Sequence, residues 1–385
     1  MLYNYFLRGI QVTDKNKKKS IFDDIPDIKP DRSDDAAAQA KKRAAARKWK
    51  KVNRVLDRIA GFIIVTVLVI GFSGLAFEYM SIKGPSEAFS TKWFQTFAET
   101  RRFQFINNLF LTEKEVAERT VAQHTDEVEE IAMKISEANV VDIVVTENTA
   151  EWEVGGHTDD DNDGIIYFEF KSSGSQCYMI AIKDPKRIFV GMPDGFGGSG
   201  LMLEDMIRKY NALGGTNAGG FFDDSGGGTG GIPEGITIVD GVIYNDVQSG
   251  AIGGFDANGI FYVDYYNVEE CKSLGLVNAV SFNPALVIHG QPTYVWDESG
   301  ANPRTAIGQR EDGTVLMLCV DGRQFFSPGL NYEEVAWLMI DYGAVNAINM
   351  DGGSSSCMMY EGELKNNPTN LAGGTRYLPT AWLFK

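Results

Sequence analysis

The plainest pattern along the chain is an uncharged stretch. From Ile59 to Phe77, nineteen residues carry no charge, bounded by Arg58 and Glu78. About 20 apolar residues cross a bilayer core as a helix, and a buried core helix would show a polar stripe that this run lacks. A cleaved signal peptide fits less well, because the run starts near residue 59 and exceeds an ordinary apolar signal region. Further on, Val121, Val128, Ile131 and Ile135 recur at spacings of 7, 3 and 4, which predicts one apolar helix face within residues 85–140. His124 falls on that face, where packing is favoured over ligation.

From about residue 141 the period changes. Short apolar runs (IIYFEF, CYMIAI, ALVIHG, TVLMLCV) alternate with Gly, Asn and Asp turns and predict strands. Two helices interrupt them. The first is predicted over residues 200–213, with Ser199 as a cap and Gly214 closing it. The second starts at Asn331, with Glu334 in the capping-box position, carries Val335, Leu338, Met339 and Tyr342 inward, and ends at Gly343. The fold class is therefore α+β: mixed twisted β-sheets with a few packed helices, preceded by a single transmembrane helix. The predicted organisation is a basic, disordered cytoplasmic tail over 1–58, the span over 59–77, an extracytoplasmic helical stalk over 78–140, and one large domain over 141–385.

Charge sharpens this division. The 385 residues are 44% hydrophobic and 23% charged, with a formal net charge of −16. Residues 1–58 nevertheless hold 16 Lys/Arg against 8 Asp/Glu, so the excess of acid lies beyond the span. Nine cations fall within residues 41–58, whereas only Lys83 and Lys92 follow closely. The positive-inside rule then predicts a single-pass cell-membrane protein with a cytoplasmic N-terminus and residues 78–385 outside. The overall acidity argues against nucleic acid as a partner, and the basic tail suits anionic lipid headgroups.

Several chemistries are excluded by their missing motifs. No strand-to-helix G-x-G-x-x-G, Walker A or G-x-S-x-G sequence occurs, and His124, His157 and His289 are the only histidines. His289 reads as a hairpin residue. Cys177, Cys271, Cys319 and Cys357 show no paired spacing, which argues against a cysteine metal site. Two disulfides are permitted, with free buried thiols the default for Cys319 and Cys357. Asp159, Asp161 and Asp163 alternate before Gly164 like the start of a calcium loop, but the twelfth position is Phe170 and a strand follows. A solvated acidic turn is the default there, with calcium the one ion the pattern would suit; no other cofactor is expected.

Two corners of the chain read alike: LGGTNAGGFFDD and YGAVNAINMDGGSSS. Each leaves a helix, passes a Gly, forms a short strand containing Asn-Ala, and ends in acid and glycines. Such corners place a carboxylate and a Gly-rich turn at one sheet edge, where folds carry chemistry.

The most specific text is Asn302-Pro-Arg-Thr-Ala-Ile-Gly-Gln, then Asp321-Gly-Arg-Gln, then Asn346-Ala-Ile-Asn-Met-Asp-Gly-Gly-Ser-Ser-Ser. With Asn217-Ala-Gly-Gly-Phe-Phe-Asp, Ile182-Lys-Asp-Pro and Ser281-Phe-Asn-Pro, it resembles the phosphodiester glycosidase family over roughly residues 160–385. The tail and span resemble those of membrane-anchored bacterial members. The resemblance implies hydrolysis of the sugar C1–O bond of glycosyl phosphodiesters, and the predicted location outside the membrane makes cell-envelope glycans the expected substrates. Such a reaction needs support for the departing phosphate and a carboxylate beside an oxocarbenium-like carbon. In the matching motifs, Asp351, Asp321 and Asp223 suit the carboxylate role. Arg304, Arg323 and Arg376 suit phosphate through a planar fork. Gly219, Gly220, Gly352 and Gly353 would let N–H groups approach a ligand, beside Ser354, and Asn217 and Asn349 could hold sugar hydroxyls. A phosphodiesterase breaking P–O, and a non-catalytic envelope polysaccharide-binding module, are the rival readings.

Overall fold

The computed structural model describes residues 32–84, 90, 93–96, 104–120, 141–145, 152–222, 229–293, 299–370 and 374–385. Two compact units follow from it, residues 1–75 and 76–385. The uncharged run lies within one helix, α1 (Arg32–Lys83), of which Ala38–Lys83 is long and apolar enough to cross a membrane. Helix thus begins well before Ile59, inside the stretch expected to be disordered. Its text there (AAAQAKKRAAARKWKK) consists largely of strong helix formers, which outweigh the polarity that suggested disorder.

Residues 78–140, expected to form a helical stalk or docking helix, are described in part. They contain α2 (Gln104–Phe110) and α3 (Glu113–Thr120). Ile82, Phe94 and Leu111 bury one another, and the Asn107 side-chain amide donates to the Phe94 carbonyl at 3.0 Å. The segment also abuts the large domain: a Cβ on Gly300 would sit 2.2 Å from the Thr96 nitrogen, so glycine is required for that close approach. Val121, His124, Val128, Ile131 and Ile135 lie outside the described residues.

Beyond a small hairpin of β1 (Glu153–Val154) and β2 (His157–Thr158), the chain runs through β3 (Ile165–Ser172), β4 (Ser175–Ile182) and β5 (Ile188–Gly191). Next come α4 (Leu203–Tyr210) and β6 (Gly214–Asn217). Then follow β7 (Thr237–Val239), β8 (Val242–Asn245), β9 (Ala251–Asp256) and β10 (Phe261–Asp264). Helix α5 (Val268–Ser273) leads to β11 (Leu276–Phe282), β12 (Ala285–Ile288), β13 (Gln291–Pro292), β14 (Arg304–Arg310) and β15 (Val315–Val320). The chain closes with α6 (Tyr332–Asp341), β16 (Ala344–Met350), β17 (Met358–Tyr360), β18 (Glu363–Leu364) and β19 (Ala381–Phe384).

Three larger antiparallel sheets result. The orders are β13-β12-β16-β14-β15-β4-β3, β18-β17-β6-β19-β5 and β10-β9-β11-β7-β8. The seven-stranded sheet is covered on both faces, which explains why β15 reads as an unbroken apolar run: Val315, Met317 and Cys319 enter the core shared with the other sheets, while Leu316, Leu318 and Val320 meet α6. Helix α4 packs Leu203 and Met206 on the outer face of the second sheet. The layers are therefore helix, sheet, sheet, helix, the α+β architecture expected from the sequence.

Both helix ends near the site are set by local chemistry. Helix α6 starts on the predicted capping box, with Asn331 and Glu334 each accepting the other's backbone N–H. Helix α4 is shorter than predicted: Met202 takes the cap position with no side-chain bond, and Asn211 ends it in the left-handed region at φ 49°. His289 turns the β12–β13 hairpin at φ 50°, and all four cysteines are free and buried.

Candidate active site

Strand register brings the quoted motifs to one end of the molecule. Strand β14 begins where β15 and β16 finish, since Arg304 pairs with Val320 and Thr305 with Met350. Asp351 directly follows β16 and Asp321 directly follows β15, so both leave their strands at the end where Arg304 opens β14. The second sheet contributes the end of β6 and the starts of β17 and β19, because Asn217 pairs with Ala381 and Met358 with Thr216.

The two similar corners of the sequence meet here. The Asn217 amide donates to the Asp351 carbonyl at 2.6 Å, and the Asp351 N–H returns a bond to the Ala218 carbonyl at 3.0 Å. Asn217 Oδ1 accepts from Thr305 Oγ1 at 2.8 Å and the Cys357 N–H at 3.1 Å. Asn217 is fully buried, and its whole amide welds the corners together. It is a positioning residue and not the sugar ligand its motif suggested.

After Asp351 the backbone folds into a 3-10 turn, Gly353–Ser355. Gly353 adopts φ +61° and donates its N–H to the Pro303 carbonyl at 2.9 Å. The Gly352 and Ser354 N–H groups meet no acceptor among the described residues and remain available to an anion. Beneath them Ser355 Oγ, Ser356 Oγ and Asn349 Oδ1 are buried without a partner among the described residues. The Asn349 amide nitrogen is held by the Asn283 carbonyl at 2.8 Å.

Three arginines surround the turn in unequal ways. Arg323 lies closest, with its guanidinium nitrogens 3.1 and 3.2 Å from where a Gly353 Cβ would sit, and its Nε donates to Asn302 Oδ1 at 2.9 Å. Arg376 donates to Ser354 Oγ at 3.1 Å and lies over the Phe221 ring at 4.6 Å. Arg304 is only 3% exposed, donates to the Leu330 and Gly300 carbonyls at 3.0 and 2.8 Å, and stacks 3.9 Å above Tyr332. Its Nη1 faces Gly352 at 3.9 Å from the Cβ position. Arg304 is thus a rigid buried cation under the turn, while Arg323 and Arg376 flank it.

Asp321 stands apart from this group. It is 3% exposed and accepts from the Tyr178 hydroxyl at 3.0 Å, the Asn367 N–H at 2.8 Å and the Asn366 amide at 3.5 Å. Burial pushes its carboxyl above the ordinary value, against the lowering effect of those bonds. One oxygen (Oδ1) holds the 366–367 loop and the other (Oδ2) the Tyr178 hydroxyl, so Asp321 is a positioning residue here. Gly219 and Gly220 also serve packing: the Gly219 N–H is held by Thr380 Oγ1 at 3.1 Å, and a Cβ on Gly220 would meet the Phe282 ring at 2.8 Å. Asp223 lies outside the described residues.

The acidic loop is far from idle as a geometry. Asp159, Asp161 and Asp163 each bring an oxygen to within 4.8 Å of the others, close enough to share one hard cation. Hydrogen bonds from the Asp163 and Gly164 N–H groups to Asp159 also account for the loop's shape. Nothing in the sequence singles out Tyr332, Asn366 and Thr380, whose roles depend on contacts distant in the chain. Asn302 and Thr305 both stand in a quoted motif, which shows their presence but not their bonds.

Residues 210–385 match the model of the phosphodiester glycosidase family. A SPbeta prophage-derived uncharacterized protein of Bacillus subtilis is 35% identical over 147 residues, covering 34% of this chain and 23% of its own length. The N-acetylglucosamine-1-phosphodiester alpha-N-acetylglucosaminidase of Bos taurus is 30% identical over 113 residues, covering 29% and 19%. The chain therefore spans less than a quarter of each of these relatives. In fold, the catalytic domain of the zebrafish enzyme of that name superposes with a TM-score of 0.51 at 20% identity, covering 63% of this chain and 86% of that domain.

Proposed function

We infer that this protein hydrolyses the sugar C1–O bond of glycosyl phosphodiesters, releasing free sugar and a phosphomonoester, a reading supported by the match of residues 210–385 to the phosphodiester glycosidase family. The observation that carries the reading is the corner at Asp351, where a carboxylate, a turn with two N–H groups that meet no acceptor among the described residues, and three arginines converge. A phosphomonoester is a better leaving group than an alkoxide, so the site needs charge support more than a strong general acid. Arg323, Arg376 and the Gly352 and Ser354 N–H groups are placed to hold the phosphate oxygens. Arg304 adds positive potential from below without direct contact. Asp351 is the carboxylate for the cationic carbon, as nucleophile or as the base for water.

The reading extends to location. Nine cations before the apolar run support a domain outside the membrane, where cell-envelope glycans with glycosyl-phosphate links are the accessible substrates. Asp351→Asn tests the chemistry. It preserves shape, and the backbone atoms of Asp351 make the bonds to Asn217 and Ala218. The rate on a model glycosyl phosphodiester should fall by a factor on the order of 10³ or more with the melting temperature nearly unchanged. Near-normal turnover with a lowered melting temperature would return Asp351 to a purely structural role.

A further inference from the structure

Phe325 and Phe326 are the most exposed large apolar residues among those described, at 92% and 84%. They are the two central residues of a turn closed by reciprocal backbone bonds, from the Gln324 N–H to Ser327 O at 3.0 Å and from the Ser327 N–H to Gln324 O at 3.1 Å. The base is fixed as well. The Arg323 N–H bonds Pro328 O at 3.0 Å, Gln324 Nε2 bonds Asn367 O at 2.8 Å, and Ser327 Oγ bonds Asp321 O at 3.0 Å. Both residues forgo the gain of burying a Phe side chain, on a well-anchored turn. Such a turn is preorganised for an apolar ligand.

Its position says which one. Two residues before the tip, Arg323 lies against Gly353 in the turn that follows Asp351. On the other flank, Arg376 holds Ser354 and is followed by Tyr377, 49% exposed; Phe222, next to the Phe221 that Arg376 covers, is 64% exposed. Each cation beside the anion-holding turn therefore adjoins exposed apolar surface. That pairing suits an amphiphilic phosphate: the anionic head between the arginines, a hydrocarbon chain against the rings. The two Phe rings meet edge to face, centroids 4.8 Å apart at 88°, with no polar tip. They form a wedge for hydrocarbon, unlike a flat Tyr or Trp face with a polar handle. A chain with a helix able to span a bilayer also meets lipid-borne phosphodiesters at high local concentration.

We propose that the Phe325–Phe326 turn is the leaving-group subsite, and that the substrate class is a glycosyl phosphodiester of a lipid alcohol. This rests on the hydrolytic reading above. Water oxygen bonds to C1, the C1–O bond to phosphate breaks, and its electron pair leaves on the phosphate oxygen. One water proton stays on the new sugar hydroxyl and the other passes to the lipid phosphomonoester or to solvent.

The test compares methyl and octyl esters of one glycosyl phosphate, using the full chain in phosphatidylcholine nanodiscs and the double variant Phe325→Ser, Phe326→Ser. The wild type should prefer the octyl ester. The variant should lose roughly ten-fold in kcat/KM on the octyl ester and keep its methyl-ester rate, a split that misfolding would not produce. A loss shared equally by the methyl ester, as bilayer docking through this turn would give, overturns the proposal. So does octyl-ester turnover unchanged in the variant, or equal wild-type turnover of both esters. Turnover of neither ester by the wild type overturns the hydrolytic reading itself.

Discussion

Arg304 and Arg323 stand in equally suggestive motifs, yet the fold gives them different work. Strand alternation points Arg304 toward α6, where Tyr332 and two carbonyls enclose it. Nothing in Asn-Pro-Arg-Thr announces that burial, because the enclosing residues lie 26 and more positions away or belong to the Gly300 loop. Asp321 teaches the same lesson. Its Asp-Gly-Arg text reads as a catalytic turn, and only the packing of Tyr178 and the 366–367 loop shows both oxygens occupied. Its raised carboxyl value has a definite sign in stability. The native state holds this proton more tightly than the unfolded chain, so the contribution is complete below about 3.8 and is lost as pH rises through the native value. Thermal melts across that range should show the loss in the wild type and a flatter profile in Asp321→Asn. Parallel profiles would remove Asp321 from the titrating set.

At the level of elements, what could be read from the sequence was what local chemistry determines. The α6 capping box, the β15 run and the Asn-Ala strands all rest on neighbours within a few residues. Helix α4 ends at Asn211, before the glycine, and α1 reaches back to Arg32 through polar text, because glycine position and polarity are weaker signals than helix propensity and cap geometry. The turn after Asp351 is the element on which the site depends. Gly353 sits at φ +61° with Arg323 only 3.1 Å from any added Cβ. Gly353→Ala should cost about 1–2 kcal/mol of local strain and displace Arg323. Turnover should therefore drop well beyond any change in the melting temperature, as kinetics and calorimetry on the same preparation would show. Wild-type kinetics in that variant would mean that the turn does not hold the phosphate.

Across the large unit, three sheets share one core and the ends of two of them bring the quoted motifs together, a convergence that required long-range register no sequence pattern reveals. Each cysteine is buried in a different apolar cluster of that unit. Burial pushes the Cys177 and Cys357 thiols up to about 12 and Cys271 to about 11, and Cys319 is raised too. A chromogenic disulfide reagent should find no reactive thiol in the native protein and four after denaturation; fast native labelling would contradict the packing. The reaction itself has one most direct measurement. Hydrolysis of a glycosyl phosphodiester by the full chain in heavy-oxygen water marks the bond that breaks. Attack at C1 beside Asp351 predicts the label in the released sugar and none in the phosphomonoester. Label in the phosphate would show P–O cleavage and contradict the account.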